Sequence, residues 1–133
     1  MSRVDDVQVW LALEHEAVWL YGVIGGRVGG LAEPARTSYD AHRAARDRLT
    51  AALAADNARP VGPELGYGNG RINGRRAARA AAVDVEHRIA AACVRLVGST
   101  SGTTRETAID GLRRAALAAL DWGDRPQAFP GLD

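Results

Sequence analysis

"DNARPVGPELGYGNGRING", residues 56–74, is the stretch on which the fold turns: it holds two prolines and five glycines, and neither helix nor strand survives that density. A connection this long is unusual inside a compact domain. In a helical bundle, however, one long crossover carries the chain from one end to the other, so that the next helix runs parallel to its predecessor. The expected architecture is therefore all-α, with two helical pairs on either side of a crossover at about residues 57–74.

Helical periodicity appears on both sides of it. Upstream, "EPARTSYD" opens a helix with Pro34 in the first turn, where its missing donor costs nothing. The apolar stripe of that helix reads Ala35, Tyr39, His42, Arg46, Leu49, Leu53 in steps of three and four. Downstream, residues 75–97 carry Ala82, Glu86, Ile89, Cys93 and Leu96 at the same spacing.

Further out, "LALEHEAVWLYG" (residues 11–22) belongs to a helix over residues 4–24 with the stripe Val4, Val7, Leu11, Glu14, Val18, Tyr21. "GGRVGG" (residues 25–30) is expected to end it, because glycine accepts a positive φ and is a poor helix interior. "GSTSGTTRET" separates the third helix from the fourth, with Thr103 or Thr104 as cap and Glu106 in the first turn. Ile109, Leu112, Ala116 and Leu120 form the fourth stripe. From about residue 122 the chain is irregular, and Phe129 and Leu132 are expected to pin this tail to the bundle.

Composition agrees with a single domain spanning 1–133. A chain of 133 residues buries about two-thirds of its unfolded surface in one core. Hydrophobic residues make up 47% and aromatics only 5%, with alanine abundant, which favours closely packed helices over a sheet. All 17 basic residues are arginine, a coding bias of GC-rich genomes, and the net charge of +1 supplies no basic excess for nucleic acid. Cys93 is the single cysteine, so there is neither an intrachain disulfide nor a thiolate cluster, and its apolar neighbours mark an inert buried thiol. No secretory leader or membrane span is legible, so a cytoplasmic chain with no membrane partner is expected.

The stripes place four ligand-type or charged groups on core faces of three helices: Glu14, His42, Arg46 and Glu86. A buried carboxylate is tolerable when paired and hydrogen-bonded, and the planar donor fork of Arg46 suits a carboxylate. The expected polar core therefore has Glu14 and Glu86 flanking Arg46, with His42 and the hydroxyl of Tyr21 or Tyr39 completing the network. The competing reading is a single divalent metal (Fe, Mn or Zn) on Glu14, His42 and Glu86. Di-iron bundles use Glu-x-x-His on two helices, but here Tyr39 stands three residues before His42 where the carboxylate would be, and the fourth helix has no such motif. No cofactor is favoured. His15 and His87 follow stripe carboxylates and point to the surface. Arg43 with Asp47, and Asp84 with Arg88, are expected i, i+4 ion pairs. No nucleophile and base are paired, and "GYGNGRING" lacks the strand and the terminal Gly-Lys-Ser/Thr of a phosphate loop.

In this order and spacing, "LALEHEAVWLYGVIGG", "AHRAARDRLTAAL", "VDVEHRIAAAC" and "AFPGL" resemble the alanine-rich ferritin-like domain family of high-GC bacteria, over nearly the whole chain. The resemblance implies a ferritin-like four-helix bundle with one long crossover between helices 2 and 3, without the full di-iron ligand set and with no assigned activity. It singles out Glu14, His15, Tyr21, His42, Arg43, Arg46, Asp47 and Glu86. Where the family's crossover carries Tyr followed by Leu-Pro, Tyr67 here is followed by "GNG". The function expected is a non-catalytic bundle, self-associating as a homodimer, with a structural polar core and no catalytic residues. The alternatives are a degenerate metal-binding relative with an oxidase or storage role, and a protein-interaction module using the C-terminal tail or the crossover.

Overall fold

The computed structural model describes residues 2–68 and 71–132; residue 1, residues 69 and 70 of the crossover and residue 133 of the tail lie outside the described residues. Four helices follow in order: α1 Arg3–Arg27, α2 Ala32–Ala55, α3 Arg75–Ser99 and α4 Gly102–Asp121. Among the described residues there is no strand.

Helix α1 starts at a capping box. The Ser2 hydroxyl accepts from the Asp5 backbone N–H and the Asp5 carboxylate accepts from the Ser2 N–H, worth about 0.5–2 kcal/mol. Its end differs from expectation: the helix continues through Gly25 to Arg27. Packing explains this, because a Cβ on Gly25 would lie 3.4 Å from that of Ala35, so α1 and α2 meet closely there and hold the turn. The reversal follows at Gly30, whose φ of 83° is in the left-handed region.

Contacts along the chain set the directions. Arg3 pairs with Asp56 at 2.8 Å, and Gly25 faces Ala35, so α1 and α2 are antiparallel. The crossover then climbs back beside α1. The Gln8 amide donates to Arg59 O and its carbonyl accepts from Val61 N, His15 Nε2 donates to Val61 O, and Trp19 packs on Tyr67 with centroids 5.4 Å apart. Arg75 at the head of α3 donates to Gly29 O, so α3 starts where α1 ends and runs parallel to α2, as the crossover implied.

The core is built mainly around α1, which packs against both α2 and α3, while α3 packs against α4. Buried positions on α1 fall on two adjoining rows, with Trp10, Ala17, Leu20 and Ile24 joining Leu11, Glu14 and Tyr21, while Val18 stays at the margin. The α3 stripe is buried as expected. On α4 the buried face is Ala108, Gly111, Ala115 and Ala119, one residue away from the expected stripe, and Leu120 is exposed. Bulk decides this rotation. A Cβ on Gly111 would sit 2.4 Å from the Trp10 ring and 2.9 Å from Cys93 Sγ, so only a small-residue face lets α4 close over the indole. The cap of α4 is Ser101, not Thr103 or Thr104.

The tail also departs from expectation. Phe129 is 72% and Leu132 65% exposed, so neither anchors it. Its anchors are buried Trp122, an ion pair of His87 with Asp124 at 2.6 Å, and Gly131, where a Cβ would collide with Val94 and the Ala90 carbonyl.

Candidate functional site

Trp10, Glu14 and Tyr21 lie on the inward side of α1, and Trp10 and Glu14 are one turn apart, close enough for side chains to meet. The indole Nε1–H donates to Glu14 Oε2 at 2.9 Å. Helix α2 contributes His42 and α3 contributes Glu86, so three helices converge on one buried cluster. His42 Nδ1 lies 2.5 Å from Glu14 Oε1 and Nε2 lies 2.8 Å from Glu86 Oε2. Tyr21 donates its hydroxyl to Glu86 Oε2 at 2.6 Å.

Both imidazole nitrogens face carboxylate oxygens, which only accept, so the ring donates twice and is an imidazolium. Burial alone would drive its pKa down; the hydrogen bonds to Glu14 and Glu86, and then their charges, overcome that and raise it to about 10. Burial and then the Glu86 charge push the Tyr21 phenol well above its ordinary range, so it stays a donor. The Tyr21 ring stacks on the imidazole (5.3 Å, 12°) and on Trp122 (5.5 Å), whose indole N–H donates to the Ser38 hydroxyl.

Of the residues expected in this core, Glu14, Tyr21, His42 and Glu86 are brought together and two are not. Arg46 lies outside and pairs with its neighbour Asp47 at 3.0 Å. Ala45 takes the core position on α2, because steps of three and of four from His42 reach Ala45 and Arg46 respectively, and the neutral methyl is the one that packs without desolvating a charge. Tyr39 stays half-buried under the Arg43 guanidinium, 5.5 Å from the ring centroid. The expected pair of Arg43 and Asp47 is thus replaced by two other contacts. Asp84 and Arg88 do pair, at 2.9 Å, and Arg88 extends to Glu16 on α1. His15 holds the crossover and His87 the tail. Cys93 is fully buried, and burial followed by the Glu14 charge pushes its thiol up and away from reactivity. Trp10 was missed by the stripe reading; its signal was a lone indole donor four residues before Glu14.

The cluster is not sealed. A cleft of about 210 Å³ between α2 and α4 reaches it, lined among others by Ser38, His42, Glu86, Arg114, Leu117 and Trp122. Glu86 Oε1 is buried with no hydrogen-bond partner among the described residues. For a metal of the kind di-iron bundles hold, the residues as arranged do not fit. Both Glu14 oxygens, Glu86 Oε2 and both imidazole nitrogens are engaged with one another or with Trp10 and Tyr21. That leaves one free oxygen where about four to six donors are needed.

The sequence of residues 7–133 matches the family model described as a domain of unknown function, DUF4439. The chain belongs to the DUF4439 family. The fold is similar to the crystal structure of a conserved hypothetical protein, rv2844, from Mycobacterium tuberculosis, with a TM-score of 0.84 and 23% sequence identity over 90% of this chain and 93% of that one. No curated protein matches the chain. In this member of the DUF4439 family, His42 bridges Glu14 and Glu86 at the centre of the bundle.

Proposed function

We propose that this chain is a non-catalytic, ferritin-like helical bundle whose buried polar core is structural and which self-associates in the cytoplasm. The carrying observation is the bridge made by His42: one imidazolium satisfies a carboxylate from α1 and one from α3. A buried ionic group of this kind contributes little net stability over an apolar core but selects one helix register over others. The ferritin-like relationship is supported by two antiparallel helical pairs joined through a crossover that runs the length of α1. In this reading the imidazolium takes the position between acidic side chains that a metal takes in di-iron bundles, so no resident metal is required.

Calorimetry of carefully stripped protein with Fe(II), Mn(II) and Zn(II) tests this. No saturable heat is expected. Binding near one equivalent that disappears in His42→Ala would overturn the structural reading in favour of a degenerate metal protein.

Self-association draws on a different observation. Helix α4 turns Leu117 (62% exposed) and Leu120 outward, and they line a cleft of about 220 Å³ together with Pro126 and Pro130 of the tail. Exposed apolar side chains grouped beside a cleft support reading this face as the one a second copy covers. Among the described residues, no helix is long and apolar enough to cross a membrane.

A further inference from the structure

Among the described residues, Glu86 Oε1 is the buried side-chain polar atom left without a hydrogen-bond partner. Glu86 is completely buried, and an orphaned carboxylate oxygen at such depth costs free energy unless something donates to it. Glu86 is among the residues lining the cleft between α2 and α4. The extensive helix pairings are α1 with α2, α3 with α4 and α1 with α3, so α2 and α4 are left apart and the opening lies along that seam.

Two features describe what the cleft would accept. The first is charge. Glu14, Glu86 and Asp121 line it with His42 and Arg114, so three carboxylates face two cations and one negative charge remains uncompensated. The second is shape and polarity. Away from Glu86 and the Thr37 and Ser38 hydroxyls the walls are Ile89, Ala115, Leu117 and the Trp122 indole. At about 210 Å³ the space is below the roughly 300–1,000 Å³ of sites for drug-sized ligands, so it suits a compact molecule.

We infer that the α2–α4 cleft is a binding site for a small primary amine in its ammonium form, with N–H donated to Glu86 Oε1 and a short alkyl body against Ile89, Leu117 and Trp122. An ammonium supplies the missing donor and the missing positive charge at once, and charge-assisted hydrogen bonds are the strong ones. A neutral alcohol supplies the donor without the charge, and a quaternary ammonium supplies the charge without a donor.

Those differences define the experiment. The full chain is titrated with n-butylammonium chloride while amide and indole resonances are followed by NMR, with n-butanol and tetramethylammonium chloride as matched probes. Saturable shifts centred on Ser38, His42 and the Trp122 indole are expected for n-butylammonium, with binding at least about tenfold weaker for either other probe. Glu86→Gln should weaken n-butylammonium binding by a similar factor. Ala118→Leu, which fills the cleft from the less buried side of α4 and leaves the cluster intact, should abolish it, and this variant decides if Glu86→Gln does not fold. Absence of saturable shifts would mean that water alone occupies the cleft and would overturn the inference. Equal response to all three probes, or binding that survives Ala118→Leu, would overturn it as well. The structural role of the Glu14–His42–Glu86 bridge stands or falls separately, on the metal calorimetry.

Discussion

His42 and Glu14 meet at 2.5 Å across the interface of α2 and α1, and the same ring reaches Glu86 at 2.8 Å on its other side. The folded pKa of about 10 lies above the ordinary 6.5. The stability from this bridge is therefore fully present below about pH 6.5 and is lost as pH rises towards and through 10. Denaturation midpoints should decline across that window by an amount His42→Gln removes. Ring nitrogen shifts should show both His42 nitrogens protonated at pH 8; a neutral tautomer there would contradict the imidazolium assignment.

Removing the imidazole altogether is more severe. His42→Ala leaves two buried carboxyl groups facing each other without their shared partner, and breaking a buried pair from one side costs roughly 3–5 kcal/mol. Urea denaturation should show a loss of that order. A loss below about 1 kcal/mol would mean that the cluster is hydrated and loosely held.

Arg46 offers the converse test. It pairs with adjacent Asp47 at the bundle's edge, with its side chain 27% exposed, so Arg46→Ala should change stability by no more than about 0.5 kcal/mol. Trp10→Phe keeps an aromatic ring, though a smaller one, and deprives Glu14 Oε2 of its donor, and should cost at least about 1–3 kcal/mol. The same thermal melts rank both. A larger effect from Arg46 than from Trp10 would restore the arginine-centred network suggested by the heptad stripe.

These two residues mark the limit of what the chain makes legible. Four helices and the crossover follow from proline, glycine and the period of apolar residues, because those signals act locally. Glu14, His42 and Glu86 could be placed on core faces for the same reason. Whether His42 is followed inward by Ala45 or Arg46 depends on how closely α2 approaches α1, which is a property of the assembled bundle. The face of α4 was misplaced for a related reason: Leu120 looks like core by hydrophobicity, yet the indole of Trp10 demands Gly111 and the alanines instead. Trp122 stands at the start of the irregular tail by sequence, yet it caps α4 and is buried beside Tyr21.

Gly111 carries a prediction of its own. An added methyl would approach the Trp10 ring to 2.4 Å and Cys93 Sγ to 2.9 Å, and both neighbours are fully packed. Alanine is the better helix former by about 1 kcal/mol, so on an open surface the change would stabilise. Here overpacking should prevail, with Gly111→Ala losing about 1–3 kcal/mol. Gly98, whose Cβ would meet nothing within 4 Å, is the control, and Gly98→Ala should be neutral or stabilising in the same melts.

The outward face of α4 makes the last prediction, on assembly. Leu117 and Leu120 are one turn apart and both exposed, while the residues that hold α4 to the bundle are Ala108, Gly111, Ala115 and Ala119. The two leucines can therefore be changed without disturbing the internal packing. If a second copy covers this face, light scattering on a sizing column should give twice the chain mass for the wild type. The doubly substituted Leu117→Glu/Leu120→Glu protein should elute as a monomer with an unchanged far-UV spectrum. A monomeric wild type at concentrations of about 0.1 mM would remove self-association from the reading and leave this face for another protein. A dimer that tolerates both glutamates would instead move the interface to another surface of the bundle.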